Sequence, residues 1–439
     1  MRKTGFRKGI LLLMLVLALL LWPSGKVKAD ELGELKQQIT EQNQMLQKLM
    51  ERLEQLEARQ KQKEEVLTER IEEVAQKKES IALPDSLKWV EKVKISGDFR
   101  YRHERIDEEK TASAVRWKDG IDRDRIRARL MIEAMVNDDW GLGFRLASGS
   151  ADPVSTNQSL EDSFSSKTLW LDLAYFHWHP QSLKGTNVFG GKMKNPFYRV
   201  GSNQLIWDSD LNPEGIAAQL TMPLADKTVL YINGGGFWVD ESSSGVDTSL
   251  WGAQSYVKHT IGNPDYILGG VSYFDYGNIQ GRGDLKSTWS STSNFFGNTT
   301  SSGMFASDYD ILEAFAEYST QLMEMPFTVY GDWAKNLVAS TNEDTGWLIG
   351  SRFNKAKEPG TWEAGYSYRE MDADSILGAF TDSDFIGGGT DGKGHEFGFA
   401  YQLAKNLQAC VTYFLSEIDR TNGRSLDYRR LQLDLNLKF

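Results

Sequence analysis

Residues 430–439 read Arg-Leu-Gln-Leu-Asp-Leu-Asn-Leu-Lys-Phe, so apolar and polar side chains alternate without a break. Successive side chains of a β-strand point to opposite faces of the sheet. The alternation therefore predicts a strand with one apolar and one polar face, closing on the aromatic residue Phe439. Many such strands, separated by polar loops, are typical of membrane barrels with lipid outside and water inside.

Segments of the same kind recur from Val93 onwards and predict an all-β fold, a closed antiparallel transmembrane barrel of sixteen strands over residues 93–439. The first two strands open at Val93 and after residue 120. The remaining fourteen are predicted at 140–149, 168–179, 186–193, 214–221, 228–238, 250–259, 265–275, 309–320, 325–334, 345–354, 361–370, 394–403, 407–417 and 428–439.

Short and long connections alternate along these strands. The short ones are 137–139, 180–185, 222–227, 260–264, 321–324, 355–360 and 404–406. The longer ones are 106–120, 150–167, 194–213, 239–249, 276–308, 335–344, 371–393 and 418–427. Because bacterial barrels place short turns on the periplasmic side, we expect both ends of the barrel on that side.

Residues 1–29 have the pattern of a secretory signal peptide. A basic start is followed by the apolar run 10–22 and by small residues before Asp30. The alternative is an uncleaved anchor, but the apolar run is too short to span a bilayer as a helix. No later stretch reaches the length of a membrane-spanning helix, so any membrane crossing beyond residue 29 has to use strands.

Charge and composition exclude several classes of function. The whole chain has a net charge of −11, and without residues 1–29 it has 44 Lys and Arg against 61 Asp and Glu. Nucleic-acid binding is not expected from such an acidic chain. Cys410 is the single cysteine, so no internal disulfide forms. No nucleophile elbow, phosphate-binding loop or zinc-protease motif occurs, and we expect neither an enzyme nor a cofactor or metal site.

Residues 30–83 predict an α-helical coiled-coil stalk on the periplasmic side, followed by a linker at 84–92. Leucine and isoleucine recur at heptad positions among many charged residues. The predicted core residues are Leu32, Leu35, Ile39, Leu46, Leu49, Leu53 and Leu56. A single solvated helix is the alternative, although it would leave this stripe in water.

The chain resembles Gram-negative general porins, in particular the porin family whose members carry an N-terminal coiled-coil leader. The resemblance rests on that leader, on 94–102 and 122–129, on Gly-Gly-Lys-Met-Lys-Asn-Pro-Phe at 190–197, and on the final Leu-Lys-Phe. It implies a channel in the bacterial outer membrane, surrounded by lipid and lipopolysaccharide and usually a homotrimer. It also implies that Phe439 is the mark read by the barrel-assembly machinery. A cell-wall-binding repeat is not recognisable, which leaves attachment of the stalk to peptidoglycan open.

Basic residues gather on the predicted lumen face of the first, second and last strands. They are Lys94, Arg100, Arg102, Arg123, Arg125, Arg127, Arg129 and Arg430. Guanidinium groups keep their charge, and a narrow channel lined by them concentrates anions. We therefore expect a basic ladder facing acidic groups of a folded-in loop. The alternative is that neighbouring carboxylates neutralise the ladder, which then only joins the barrel seam; these are Asp98, Asp122, Asp124, Asp434 and Glu133.

Three other features are weighed against simpler interpretations. Loop 276–308 either folds into the pore or stays on the surface. The acidic loop 371–393 is expected to be solvated, with a Ca²⁺ or lipopolysaccharide-bound cation as the alternative. His177 and His179 share a strand face, as zinc ligands could, but their aromatic neighbours favour a position in an interfacial belt.

Passive diffusion of small hydrophilic solutes and ions through a water-filled barrel is the function that these features favour. A structural tether between outer membrane and cell wall, and a channel specific for an anionic solute, are the alternatives.

Overall fold

The computed structural model describes residues 40, 44–45, 47–56, 58–63, 66, 85–109, 120–243, 245–285, 294–421 and 424–439. The chain divides into two compact units, Met1–Leu87 and Lys88–Phe439. Of the first unit, residues 47–56 and 58–63 are helical. A 3₁₀ helix, Asp85–Lys92, precedes the first strand.

The second unit contains sixteen long strands within its described residues. They are β1 Val93–Glu108, β2 Ile121–Met135, β3 Trp140–Ser148, β4 Leu169–Trp178, β5 Thr186–Lys192, β6 Glu214–Ala225, β7 Thr228–Asp240, β8 Thr248–Thr260, β9 Tyr266–Gly277, β10 Tyr309–Leu322, β11 Met325–Asn336, β12 Thr345–Asn354, β13 Trp362–Met371, β14 Gly392–Ala404, β15 Leu407–Thr421 and β16 Arg424–Lys438. Each pairs antiparallel with its neighbours in sequence. The predicted number and direction of strands are confirmed.

The sheet closes on itself because β1 pairs with β16 as well as with β2. The β1–β16 register runs from Asp98 opposite Lys438 to Glu108 opposite Tyr428. Backbone hydrogen bonds between Gly97 and Phe439 extend this seam by one further pair. A closed ring leaves no sheet edge without hydrogen-bond partners, which a barrel in lipid requires.

Apolar rows face outwards and polar rows inwards, as the alternation predicted. In β16, Leu433 is 42 % exposed while the neighbouring Gln432 is 2 % exposed and Arg430 is buried. Phe99 and Tyr101 of β1 are exposed in the same way, while Arg102 is buried. The closed ring thus presents aliphatic and aromatic side chains to its surroundings and charged side chains to its interior.

Two strand boundaries differ from the prediction at one end of the barrel. β1 continues to Glu108, although 106–120 was predicted as a loop. β15 and β16 leave only residues 422–423 between them, so the predicted longer loop 418–427 is mostly strand. Backbone pairing continues past the last apolar side chain because ladder hydrogen bonds do not depend on side-chain type.

The predicted stalk is described only in part. Leu49, Leu53 and Leu56 are helical and more than half exposed. Leu32, Leu35, Ile39 and Leu46 lie outside the described residues. In the described part of the chain, no helix is both long and apolar enough to cross a membrane.

Candidate functional site

Residues 193–213, between β5 and β6, form a crossing segment through the barrel. At one end, Asp210 Oδ1 lies 3.2 Å from an Arg129 guanidinium nitrogen on β2. At the other, the backbone N–H of Gly201 donates to Glu317 Oε2 on β10 at 2.8 Å. β2 and β10 lie eight strands apart in the ring of sixteen, hence on opposite sides. A segment that contacts both has to cross the interior.

A second inward loop, residues 372–391, packs on the crossing segment. Asp208 N donates to Phe380 O at 2.8 Å, and Thr381 Oγ1 donates to Leu205 O at 2.7 Å. Asp384 lies 3.0 Å from Arg102. The prediction of a solvated acidic loop is therefore wrong, because its carboxylates accept hydrogen bonds inside the barrel or pair with arginines.

Loop 276–308 also packs inwards where it is described. The side chain of Asn298 donates to Ala373 O at 2.7 Å and to Ile376 O at 2.8 Å. Ile279 and Phe305 are buried. Of the two alternatives left open from sequence, the surface loop does not fit these contacts.

The three inward segments enclose an apolar core within the barrel. Trp207 of the crossing segment packs edge-on against Phe274 of β9, with ring centroids 5.0 Å apart. Phe197 packs against the same Phe274 ring at 4.9 Å. Part of the interior at this level is thus filled by packed apolar side chains.

Seven of the eight predicted basic residues meet in one arginine cluster on the inner face of β1, β2 and β16. They are Arg100, Arg102, Arg123, Arg125, Arg127, Arg129 and Arg430. Lys94 lies apart, exposed, with its Nζ 4.0 Å from Glu133.

Strand carboxylates compensate part of this positive charge. Asp98 lies 2.9 Å from Arg127 and 2.8 Å from Arg129. Asp434 lies 2.7 Å from Arg102. Of the predicted neutralising carboxylates, Asp98 and Asp434 join the cluster. The others pair elsewhere, Asp122 with Arg105, Asp124 with His103 and Glu133 with Lys94.

Glu104 of β1, which the sequence analysis did not single out, lies at the centre of the group formed by Arg123, Arg125 and Arg430. It is fully buried and contacts Arg123, Arg125 at 3.5 Å and Arg430 at 2.6 Å. One carboxylate therefore faces three guanidinium groups. Asp384 of the inward loop adds a second contact to Arg430, at 2.7 Å.

The crossing segment and the inward loop supply the remaining carboxylates, Asp210 and Asp384. Seven guanidinium groups thus meet five carboxylates, which leaves two positive charges in excess. Arg123 keeps 36 % of its side chain exposed, whereas the other six are largely buried. The cluster consequently fastens the inward segments to the seam.

The carboxylates of the inward segments have different protonation behaviour. Burial raises the pKa of Asp210 and Asp384, but the guanidinium groups beside them outweigh burial, so both pKa values lie below the usual range. Burial and the negative charges of Asp210 and Asp382 raise the pKa of Asp208 well above its usual value. Asp208 therefore holds its proton at pH values where a solvated aspartate has lost it.

His177, on β4, and His179, just after it, do not form a metal site with neighbours. Their rings stack 4.5 Å apart, and His177 also stacks on Phe189. His177 Nε2 lies 2.9 Å from Asn187 Oδ1. Across the described residues, no group of three or more His, Cys, Asp or Glu side chains has metal-binding geometry.

Sequence reasoning missed the crossing segment, although one local signal was present. Leu205, Ile206 and Trp207 form an apolar run within a predicted polar loop, and all three are buried. Such a run in a loop indicates packing, but the alternation of the strands does not say against what.

A family model described as "Putative porin" matches residues 108–309 and 306–439, together more than half of the chain. No curated protein matches the sequence.

The structure is similar to solved structures of bacterial porins. OprB of Pseudomonas putida aligns at a TM-score of 0.52 and 9 % identity, covering 80 % of this chain and 96 % of that one. OmpF of Salmonella typhi aligns at 0.45 and 9 %, over 79 % and 97 %. A Rhodopseudomonas blastica porin variant aligns at 0.42 and 12 %, over 79 % and 100 %. At these identities the likeness to OprB concerns the fold alone, whereas the family match covers the sequence itself; the chain belongs to the porin family.

Proposed function

We propose that this porin lets small hydrophilic solutes and ions diffuse across the outer membrane, with a preference for anions. The observation that carries the proposal is the arginine cluster of seven guanidinium groups against five carboxylates, on the inner face of the barrel. Fixed positive charge beside a narrow, partly filled lumen raises the local concentration of anions.

The same cluster predicts a moderate rather than an absolute anion preference. Most of its guanidinium charge is used in ion pairs with Asp98, Glu104 and Asp434 or with the inward segments. Only the excess of positive charge over the paired carboxylates acts on a passing ion. A weakly selective diffusion channel fits this balance better than a channel specific for one anionic solute, which remains the second candidate.

Reversal potential in a KCl gradient across a planar bilayer tests the proposal. The parent protein is expected to pass chloride more readily than potassium. Substituting both Arg125 and Arg127 by Ser removes two charges and should shift the reversal potential towards cation preference. The matched control is Arg105→Ser, a side chain on the other face of β1, more than half exposed and paired with Asp107 at 3.2 Å.

An unchanged reversal potential in the double variant would remove the arginines from the selectivity mechanism. Absence of conductance in the refolded parent protein would remove the channel itself and favour a tether. Saturable block by phosphate or a carboxylate would favour the channel specific for an anionic solute.

We further propose that residues 30–83 form a periplasmic coiled coil between copies of the chain, with residues 1–29 as its signal peptide. The exposed stripe of Leu49, Leu53 and Leu56 supports a helical partner. A homotrimer, recognition of Phe439 by the barrel-assembly machinery, contact with lipopolysaccharide and attachment of the stalk to peptidoglycan are proposals that follow from the resemblance.

A further inference from the structure

β5 is the shortest of the sixteen long strands, so the barrel wall extends least far along the barrel at this strand. The last β4–β5 pair is Ala174 opposite Lys192, and the last β5–β6 pair is Lys192 opposite Glu214. β4 nevertheless continues to Leu169, which pairs with β3. Among the described residues, positions 169–173 of β4 therefore have no strand on the β5 side.

β7 forms the other edge of the same opening. Its last pair with β6 is Trp238 opposite Glu214, and it continues to Asp240. We call this opening, between residues 169–173 of β4 and residues 238–240 of β7, the side notch. The crossing segment enters the barrel at its lower rim, directly after Lys192.

A cavity of about 680 Å³ occupies the side notch. Part of its lining faces outwards, since Leu171 is 56 % and Trp238 is 65 % exposed. Another part belongs to the interior, where Asp172, Trp207 and Phe237 are buried. A cavity lined by both faces of one sheet leads through the wall.

The rim places the side notch above the apolar belt of the barrel. Lys192 and Glu214 form an ion pair at 2.7 Å on the outer face, and the Glu214 side chain is 61 % exposed. Outward-facing charges are costly at hydrocarbon depth and cheap near the membrane surface. The notch thus opens to water or lipid headgroups, and a water-soluble molecule can reach it.

Buried apolar side chains of the inward segments pack together inside the barrel. Ile376 and Phe385 of the inward loop and Phe305 of the loop after β9 are buried there. We propose that solutes and ions enter the channel through the side notch, and that its lining in addition holds small uncharged molecules with an apolar ring face. This inference rests on the proposed channel function and adds an entrance and a solute class to it.

The lining supports that solute class. Trp170, Trp207, Trp238, Phe197 and Phe237 offer aromatic rings, on which apolar ring faces stack. Several charged groups of the lining are in ion pairs: Glu214 pairs with Lys192 and Asp240 with Arg282, each at 2.7 Å. Asp172 pairs with Arg145 and accepts from Asn212 at 2.9 Å. Paired charges hydrogen-bond a solute without selecting for net charge.

Cysteine modification tests the entrance. In a Cys410→Ser background, Ala151→Cys places one thiol on an exposed residue of the side notch. The control is Asn342→Cys, an exposed position in the loop between β11 and β12. A methanethiosulfonate reagent carrying a polyethylene glycol chain is added to refolded protein in a planar bilayer, and labelling is checked by mass spectrometry.

Labelled Ala151→Cys is expected to lose at least half of its conductance, whereas labelled Asn342→Cys keeps its conductance. Full labelling of Ala151→Cys without a conductance change would overturn the entrance. Failure of Ala151→Cys to label while Asn342→Cys labels would overturn it too, because another copy or loop then covers the notch. A parent protein without conductance would instead refute the proposed channel function.

Uncharged probes test the solute class. Nicotinamide, which has a ring face and an amide, is expected to produce transient blockades that glycerol does not. Trp238→Ala should shorten those blockades at least two-fold, while Trp251→Ala, exposed on the outer face of β8, should leave them unchanged. Equal effects of nicotinamide and glycerol, or insensitivity to Trp238→Ala, would overturn the assignment.

Discussion

Gly97 and Phe439 exchange both of their backbone hydrogen bonds, each at 3.1 Å, and the Phe439 ring covers the face of Gly97 where a side chain would stand. A Cβ on Gly97 would come within 2.5 Å of that ring. Phe439 thus closes the barrel seam, because its ring packs over a glycine, the one residue type that leaves room for it.

Gly97→Val is expected to displace the Phe439 ring and also to crowd the Arg129 carbonyl oxygen, 2.5 Å from a Cβ at this position, so pairing of β1 with both β16 and β2 should weaken. The folded fraction, measured by the heat-dependent shift in gel mobility after refolding into detergent, should fall. Gly398→Val in β14 is the matched control, since a Cβ there meets nothing within 4 Å. Equal folded fractions for the two variants would refute the role assigned to this contact.

Arg430→Leu should destabilise the barrel strongly, because it leaves the fully buried Glu104 short of one partner and removes a contact to Asp384. Breaking a buried ion pair from one side costs about 3–5 kcal/mol. Arg105→Leu, whose partners are exposed, should cost less than about 1 kcal/mol. Urea unfolding in micelles measures both free energies, and similar losses would contradict the distinction.

Asp210→Asn removes one carboxylate from the arginine cluster and should increase anion preference. The excess of positive charge in the cluster rises from two to three, while Arg127 and Arg129 keep Asp98 as a partner. Reversal potential in a KCl gradient should shift further towards chloride, with Asp226→Asn in the exposed β6–β7 turn as control. An unchanged reversal potential would show that this carboxylate does not act on permeating ions, and a shift towards potassium would contradict the predicted sign.

The leucine stripe of the N-terminal helix is expected to mediate assembly. Substituting Leu49, Leu53 and Leu56 together by Asn should reduce the oligomer fraction seen by chemical crosslinking, because the apolar seam is lost. The matched control moves the same three substitutions one residue earlier, to Lys48, Arg52 and Gln55. Loss of oligomers in the control as well would indicate helix destabilisation instead of a lost seam.

The barrel was predictable from sequence because its signal is local. Alternation such as that of Leu431, Leu433 and Leu435 against Arg430, Gln432 and Asp434 is repeated in strand after strand, and each repeat assigns a face independently. Closure was predicted as part of the barrel interpretation, and it in turn placed the last strand beside the first.

The interior was not predictable in the same way. Contacts such as Asp210 with Arg129, or Gly201 with Glu317, join residues far apart in sequence, and no periodicity encodes them. The basic ladder was identified by residue type, but its partner Glu104 sits among charged neighbours on β1 with nothing to mark it. These pairings depend on how the loops pack inside the closed barrel, and the alternation of side chains along the strands does not determine that packing.

Ionisation of Asp208 makes the free energy of unfolding depend on pH, and Asp208→Asn should remove this dependence. Its pKa is raised in the folded protein by burial and by Asp210 and Asp382. A solvated aspartate in the unfolded chain ionises near pH 4. Above that pH the unfolded chain is stabilised by releasing this proton, while the folded protein still holds it. The free energy of unfolding therefore falls as the pH rises, until the pH exceeds the pKa of Asp208 in the folded protein.

Asparagine cannot ionise. The two oxygens of Asp208 accept hydrogen bonds from Asp210 N at 2.7 Å and from Ser383 N at 2.9 Å, and asparagine has only one such oxygen, so it loses one of these bonds at every pH. The parent protein should therefore be the more stable of the two near pH 4, and its advantage should shrink as pH rises towards 8. Carboxylates distant from Asp208 contribute equally to both proteins and cancel in the difference. Urea unfolding in micelles across this range measures it, and a difference that stays constant with pH would mean that Asp208 ionises normally.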